Sequence, residues 1–554
     1  MSEALRTYPR SRRPIQSAVP RGRGRRGCAY GAVMVLAVLI YGVWASRDSC
    51  AVSRIIPREQ AFRISASNLL DRRAKLATSH VWDALPESWG GEALARLSGD
   101  LGAPEWVINN LIGTVCHISG NDTEQFSDIL FVTKMRRIGC LAEKLRRFVP
   151  GIEEDEAGGL NVRRVEKLGV YYAVRGRVLA ASPSRDALIR ALTLPEDEAM
   201  TREELAKTAE AFGGEDLHGA IRFPDTPPPD TPVSSAWGRA GTMLASFSFA
   251  VRIDASEACL RYRAALKPQW QERFSGVLSA SAPRPLQVPP EGLIELSADL
   301  GVSVQALWSE VAEAFESEMS LDDLIGAWTP QDIEPTTGDL ARRFLAGLVA
   351  PLGPGFALCW RGVDVNEMVP VPEFVGVFGG EREAIAATLA SIPTTPEGLY
   401  PWDTFPRYDA ELGRAWLPMI GGPSIEPTAV PWDTGLLVST SRTALEAVLA
   451  GGVSETRLDV PGNVYVRIKP GPCIEAVRAL AMEWAKSGML RGYTSATLDE
   501  ALAPWSERVS AMREVSLLIA HEDGEITGEL TLECPDEPAA EPAESAATKA
   551  AAPA

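Results

Sequence analysis

Two copies of one short pattern carry the residues that could do chemistry in this chain. A serine beside an arginine could act as a nucleophile if a histidine or lysine base lay nearby. No His or Lys occurs at matching positions in the two copies, so the pattern instead predicts a strand that ends in a serine-capped helix. The copies read Leu179-x-x-Ser182-x-Ser184-Arg185-x-Ala187-Leu188 and Leu436-x-x-Ser439-x-Ser441-Arg442-x-Ala444-Leu445.

A second repeated motif, Pro-Trp-Asp-Thr, occurs at positions 401–404 and 431–434. An indole in a turn can stack on a sugar or a peptide, and the alternative is a turn whose indole covers the core. The candidate contacts with a ligand or partner are therefore Trp402, Asp403, Trp432 and Asp433.

Other catalytic or metal-binding patterns are missing from the sequence. The four histidines His80, His117, His218 and His521 stand in unrelated contexts, with neither HExxH nor His-x-His, and are interpreted as surface or satisfied core residues. A Walker A loop, a GxGxxG after a strand and a GxSxG elbow are also absent. We therefore expect no catalytic residues, no metal and no cofactor, and predict that the protein is not an enzyme.

The cysteines give one testable pair. Seven cysteines follow residue 45, they are widely spaced, and none forms a CxxC. Cys116 and Cys140 are the pair to test for a disulfide, and the alternative is that both are small buried hydrophobes.

The elements that must position these residues are predicted to form an α+β fold. Strand candidates come in adjacent pairs as often as they alternate with helices, which favours mainly antiparallel sheets flanked by helices. Because the serine pattern recurs, we predict two tandem similar repeats. The boundaries are a basic leader (1–26), a transmembrane anchor (27–45), a stalk (46–60), repeat 1 (61–267), a Pro-rich linker (268–291), repeat 2 (292–534) and a disordered Ala/Pro/Glu tail (535–554).

Residues 27–45 are uncharged over 19 positions, about the length that crosses a bilayer as a helix. Eight arginines precede them, which predicts a cytoplasmic N-terminus, an inner-membrane location and an extracytoplasmic body. The alternatives are a signal peptide cleaved after Ala45, twin-arginine export and a buried core helix.

The charge of the chain limits its partners. The formal net charge is −18, and the first 26 residues carry +7, which leaves −25 on the remainder. An acidic body is repelled by phosphate backbones, so nucleic acid is excluded as a partner. The expected partners are the lipid bilayer through 27–45 and another envelope protein or polymer.

The two serine patterns, the segments before them (169–182 and 411–439) and strand-helix units such as 373–392 resemble a family of bacterial envelope proteins classed as a domain of unknown function. The resemblance implies a single N-terminal anchor and a duplicated extracytoplasmic region, and it brings no catalytic residues.

The predicted function is a membrane-tethered envelope protein with a non-catalytic binding or structural role. A hydrolase of envelope polymers, with carboxylates assembled only in the fold, is the alternative. A signalling receptor is disfavoured because a leader of about 26 residues is too short for an output domain.

Overall fold

The computed structural model describes just over half of the chain. The described residues are 49–67, 111–121, 127–144, 151–157, 159–210, 215, 217–224, 236–277, 292–303, 306, 347–364, 370–391, 407–409, 414–416, 428–432, 435–451, 462–488, 490, 492–510, 512–522 and 524–534.

Strands with alternating polar and apolar residues dominate this part of the chain, as is typical of sheets with two different faces. In chain order they are β1 (Phe62–Ser67), β2 (Val115–Gly120), β3 (Leu130–Lys134), β4 (Ile152–Ala157), β5 (Leu160–Val165), β6 (Val170–Arg175), β7 (Val178–Ser182), β8 (Leu217–Arg222), β9 (Leu244–Ile253), β10 (Glu257–Leu266), β11 (Ile294–Asp299), β12 (Leu352–Asp364), β13 (Val371–Gly380), β14 (Arg407–Asp409), β15 (Arg414–Trp416), β16 (Thr428–Trp432), β17 (Gly435–Ser439), β18 (Val464–Ile468), β19 (Glu514–Glu522) and β20 (Glu525–Glu533).

The α-helices of the described residues lie between these strands. They are α1 (Arg137–Lys144), α2 (Arg185–Leu192), α3 (Arg202–Glu210), α4 (Ala236–Met243), α5 (Pro268–Val277), α6 (Arg382–Ala390), α7 (Arg442–Gly451), α8 (Pro470–Lys486) and α9 (Ser495–Ser510). Helices α2 and α7 directly follow β7 and β17. At the start of α2, Ser184 Oγ accepts a hydrogen bond from the main-chain N–H of Ala187 at 3.2 Å. At the start of α7, Ser441 Oγ accepts one from the main-chain N–H of Ala444 at 3.0 Å. The prediction that these serines cap helices is confirmed.

All twenty strands join into one antiparallel sheet. Its spatial order is β4-β5-β6-β7-β3-β2-β1-β8-β9-β10-β20-β19-β18-β11-β12-β13-β17-β16-β15-β14. Read outward from the central β10-β20 pair, the strands on both sides follow in the same order, with β9 matching β19, β8 matching β18 and so on to β4 and β14.

The predicted fold class, two tandem α+β repeats flanked by helices and preceded by one transmembrane helix, is wrong. The sheet is continuous, since β10 and β20 pair from Glu257 opposite Glu533 to Ala265 opposite Glu525. Each is the last strand of its half, and pairing them satisfies main-chain N–H and C=O groups that two separate sheets would leave at open edges. The sequence pattern suggested separate sheets because it contains no sign of this long-range pairing.

The predicted transmembrane helix is not shown. Within the described ranges, none of the helices has both the length and the apolar character needed to cross a bilayer. The leader and the anchor at 27–45 lie outside the described residues, as does the tail at 535–554. The predicted inner-membrane location depended on that membrane helix. It is overturned together with the anchor, because the structure shows no such helix in the described residues.

Packed cores lie toward both ends of the sheet. In the first half, Val132, Val178 and Ala180 pack with Leu188 of α2, and the same core includes Ile55 and Ile56 from the predicted stalk. In the second half, β17 is covered by α6 on one face, through Leu436, and by α7 on the other, through Leu437. Within the predicted linker, residues 268–277 form α5.

Candidate ligand-binding face

The structure describes only one of the four predicted contact residues. Trp432 ends β16, and its half-buried indole packs against a core that contains Val377, Leu437 and Leu445. This packing favours the interpretation in which the indole covers the core. Trp402, Asp403 and Asp433 lie outside the described residues, so their predicted contact with a ligand stays a prediction.

The cysteine pair is not joined. Cys116 and Cys140 are both buried and are not bonded to each other. Cys116 donates from its thiol to Thr133 Oγ1 at 3.4 Å, and burial raises the pKa of this thiol. The two residues therefore match the alternative of small buried hydrophobes.

A row of aliphatic side chains crosses the centre of the sheet on one face. Because residues directly opposite each other in antiparallel strands point to the same face, the strand registers place eight Leu and Val residues side by side. Eight adjacent strands at ~4.8 Å spacing make this row about 34 Å long. The row is Leu358, Leu296, Val466, Leu517, Leu530, Leu260, Val251 and Leu217. We call this side of the sheet the apolar face.

None of these eight side chains is buried. Leu358 is 38% exposed, the other seven are half-buried, and the neighbouring Phe374 on the same face is 46% exposed. Water contact with so many aliphatic groups is unfavourable, by about 1 kcal/mol for a half-exposed leucine. An extended, partly exposed apolar surface of this kind marks a binding site in many soluble proteins.

Aromatic rings extend the apolar face in each half. Phe247 stacks with Phe249 and with Tyr262 at centroid distances of 6.0 and 5.9 Å, and Trp360 stacks with Phe374 at 6.1 Å. Burial raises the pKa of the Tyr262 phenol, which stays protonated at neutral pH.

Glycines opposite the aromatic residues let the rings lie across the sheet. The ring of Tyr262 occupies the place of a Cβ on Gly528, and the ring of Phe249 does the same at Gly219. This pairing, in which an aromatic side chain covers a glycine on the adjacent strand, smooths the apolar face and protects the bare backbone.

The opposite side, which we call the polar face, is buried in β1 and β11, whereas Arg261 and Arg263 are exposed on it in the central strand β10. In β11, Glu295 and Ser297 are 4% and 2% exposed, whereas Leu296 between them is half-buried. In β1, Ser65 is likewise buried and Ile64 is not. At these positions of β1 and β11, the buried polar and partly exposed apolar residues are the reverse of the usual arrangement in a two-faced sheet.

Some charged and polar groups of the polar face are stabilised by mutual contacts, whereas Ser119 Oγ and Ser297 Oγ are buried without a hydrogen-bond partner among the described residues. Arg467 donates from Nη2 to Glu295 Oε2 at 2.6 Å, and Gly292 N–H donates to Glu295 Oε1 at 3.0 Å. The hydrogen bond to Glu295 raises the pKa of Arg467. Burial, followed by the charge of Glu295, raises the pKa of the adjacent Cys359 to about 12, so this thiol is a poor nucleophile at neutral pH.

One serine-histidine contact lies on the polar face. Ser65 Oγ and His117 Nδ1 are 2.8 Å apart, and His218 is opposite Ser65 on the other neighbouring strand. Burial, then the charge of Arg63, lowers the pKa of His117 to about 4, and the same two causes lower the pKa of His218. A base this weak and a serine this buried are poorly suited to nucleophilic catalysis.

His521 differs from the other described histidines because it lies on the apolar face. It is 7% exposed, and neither ring nitrogen has a hydrogen-bond partner. Its main-chain N–H donates to Asn463 Oδ1 at 2.9 Å, and its register partner is Ile526. An orphaned imidazole in an apolar setting is costly and calls for a functional explanation. His80 lies outside the described residues.

Sequence reasoning missed the apolar face and His521. The alternation was present, since β11 reads Ile-Glu-Leu-Ser-Ala-Asp, but alternation does not tell which set is buried. The usual assumption places Leu296 in the core and Glu295 in solvent. No group of three or more potential metal ligands occurs among the residues that the structure describes.

Comparisons with known proteins give no family. No protein-family model matches the sequence, and no curated protein matches it. The structure is similar to crystal form IV of TP0453 at 10% identity and a TM-score of 0.24, covering 43% of this chain and 88% of that one. Crystal form III of TP0453 is similar at 10% identity and a TM-score of 0.25, covering 43% of this chain and 90% of that one. Similarity this weak carries no argument, so the family resemblance and the envelope partners stay predictions.

Proposed function

We propose that this protein is a non-enzymatic binding protein that holds an apolar or amphipathic molecule against the apolar face of its sheet. The observation that carries the proposal is the row from Leu358 to Leu217, in which no side chain is buried, although Ser65, Glu295 and Ser297 on the opposite face are. A ligand that covers this row recovers the hydrophobic free energy that the free protein lacks.

The alternative function, a hydrolase with carboxylates assembled in the fold, has weaker support. The buried glutamates of the described residues contact arginines, Glu143 with Arg163 at 2.8 Å and Glu295 with Arg467 at 2.6 Å. A carboxylate held by a guanidinium is poorly suited to act as the general acid, which must carry a proton. These contacts favour the binding function.

Titration of the purified full chain with Nile red, an uncharged dye that fluoresces in apolar surroundings, tests the proposal. We expect saturable binding, and Leu358→Asp should weaken it at least about tenfold because a charge at the row must be desolvated. Trp505→Asp is the matched control, since Trp505 lies on α9, outside the row, and is 62% exposed.

Circular dichroism checks that both variants fold. Equal binding by wild type and Leu358→Asp, or a loss confined to Trp505→Asp, would place the dye elsewhere and refute the proposal.

A further inference from the structure

His521 is the single buried polar group that the apolar face leaves without a partner in the residues described above. The next residues of β19 on this face are Ile519, Leu517 and Val515, and Ile526 lies directly opposite His521. The imidazole therefore stands at one end of a wholly aliphatic track. Its Nδ1 and Nε2 both lack hydrogen bonds, although a neutral ring offers one donor and one acceptor.

We propose that His521 anchors the headgroup of an uncharged amphiphile, a long acyl chain that ends in a hydroxyl-bearing group, as in a monoacylglycerol. The inference rests on the proposed binding function of the apolar face. A glycerol headgroup carries two free hydroxyls, so one can accept from the protonated ring nitrogen and the other can donate to the unprotonated one.

The length of the aliphatic track fits such a chain. From His521 to Val515 the strand rises about 20 Å at ~3.4 Å per residue, and an extended acyl chain of about sixteen carbons spans the same distance. The row from Leu358 to Leu217 crosses this track at Leu517.

The charge around His521 selects against an anionic headgroup. The sequence that follows it reads Glu522-Asp523-Gly524-Glu525, and Glu522 at the end of β19 is opposite Glu525 at the start of β20. The whole chain is also acidic, with a formal net charge of −18. A fatty-acid carboxylate would be repelled there, whereas the glycerol ester of the same acid would not.

Displacement of bound Nile red from the full chain separates these ligands. We expect 1-palmitoylglycerol to displace the dye at a lower concentration than palmitate does. His521→Phe should raise the half-maximal concentration of the ester about three- to tenfold, as the loss of one or two hydrogen bonds predicts. His521→Gln retains a donor and an acceptor, so it should stay within about twofold of wild type.

His218→Phe is the matched control, because it makes the same change at a buried histidine on the polar face, and it should leave displacement unchanged. If His521→Phe does not fold, imidazole NMR signals give a second readout, since the chain has four histidines and His521→Gln identifies the signal that must shift when the ester is added.

The proposal that His521 anchors the headgroup is overturned by any of three results. These are stronger displacement of the dye by palmitate than by the ester, an unchanged response of His521→Phe, or a His521 NMR signal that does not shift. If the protein binds no Nile red at all, the proposed binding function itself is refuted. That result is distinct from the three results that refute only the role of His521.

Discussion

Arg261 of β10 donates from Nε to Glu529 Oε2 of β20 at 2.9 Å, although 268 residues separate them in the chain. Each is the fifth residue of its strand, and the two are directly opposite in the β10-β20 register. Pairing of like positions is what a two-fold axis through a strand pair produces. The ion pair therefore marks the point about which the two halves of the strand order are arranged.

Gly528, beside this ion pair, should not tolerate a side chain. A Cβ there would overlap both the ring of Tyr262 and the main-chain oxygen of Leu518, and the second cannot move without distorting the sheet. We expect Gly528→Ala to lower the free energy of unfolding by about 2 kcal/mol, measured by urea denaturation.

Gly241→Ala is the control for that substitution, because Gly241 lies in α4 with Phe223 as an ordinary contact at 3.6 Å, and the change should be neutral or stabilising. Equal stability of Gly528→Ala and wild type would mean that β10 and β20 are not packed as described.

Removal of Glu295 should destabilise the polar face. Glu295→Ala leaves Arg467 without its carboxylate and Gly292 N–H without its acceptor. Since the Arg467 side chain is 33% exposed, water compensates part of the loss, and we expect a cost of about 2 kcal/mol rather than the full value for a buried pair. Arg467→Met removes the cation as well, and the double variant should lose less than the sum of the single variants. Additive losses in urea denaturation would contradict the pairing.

His117 should make the protein less stable in mild acid. Its pKa is about 4 in the folded protein, below the ordinary value of 6.5, so the folded state favours the neutral ring. The contribution of neutral His117 to the free energy of unfolding is complete above pH 6.5. It falls between pH 6.5 and 4, because there the unfolded chain takes up a proton and the folded protein does not, and it levels off below pH 4. The change is about 3 kcal/mol at most. Urea denaturation across this range should show a smaller decline for His117→Gln, and an identical decline would refute the assignment.

The two helix caps should differ in cost. Ser184→Ala and Ser441→Ala each remove an acceptor for a helix N–H, worth about 1 kcal/mol. Ser441 is buried, so water cannot replace its hydroxyl and its loss should cost more. Asp at position 184 keeps the acceptor and should preserve stability, as thermal denaturation can show. If Ser184→Asp melted like Ser184→Ala, capping would not explain the repeated serines.

The sequence by itself determined the features that depend on near neighbours. Ser184 and Ser441 could be identified as caps because the donor N–H lies three residues away, and the alternation in β11 could be read because it is local. Tertiary structure decided which strands are neighbours and which face is covered. The register of β10 with β20 joins residues 268 positions apart, and no local pattern encodes that pairing. For the same reason, only the fold could reveal that Leu296 is half-buried while Glu295 is buried, and that both ring nitrogens of His521 on the apolar face lack a hydrogen bond to the described part of the chain.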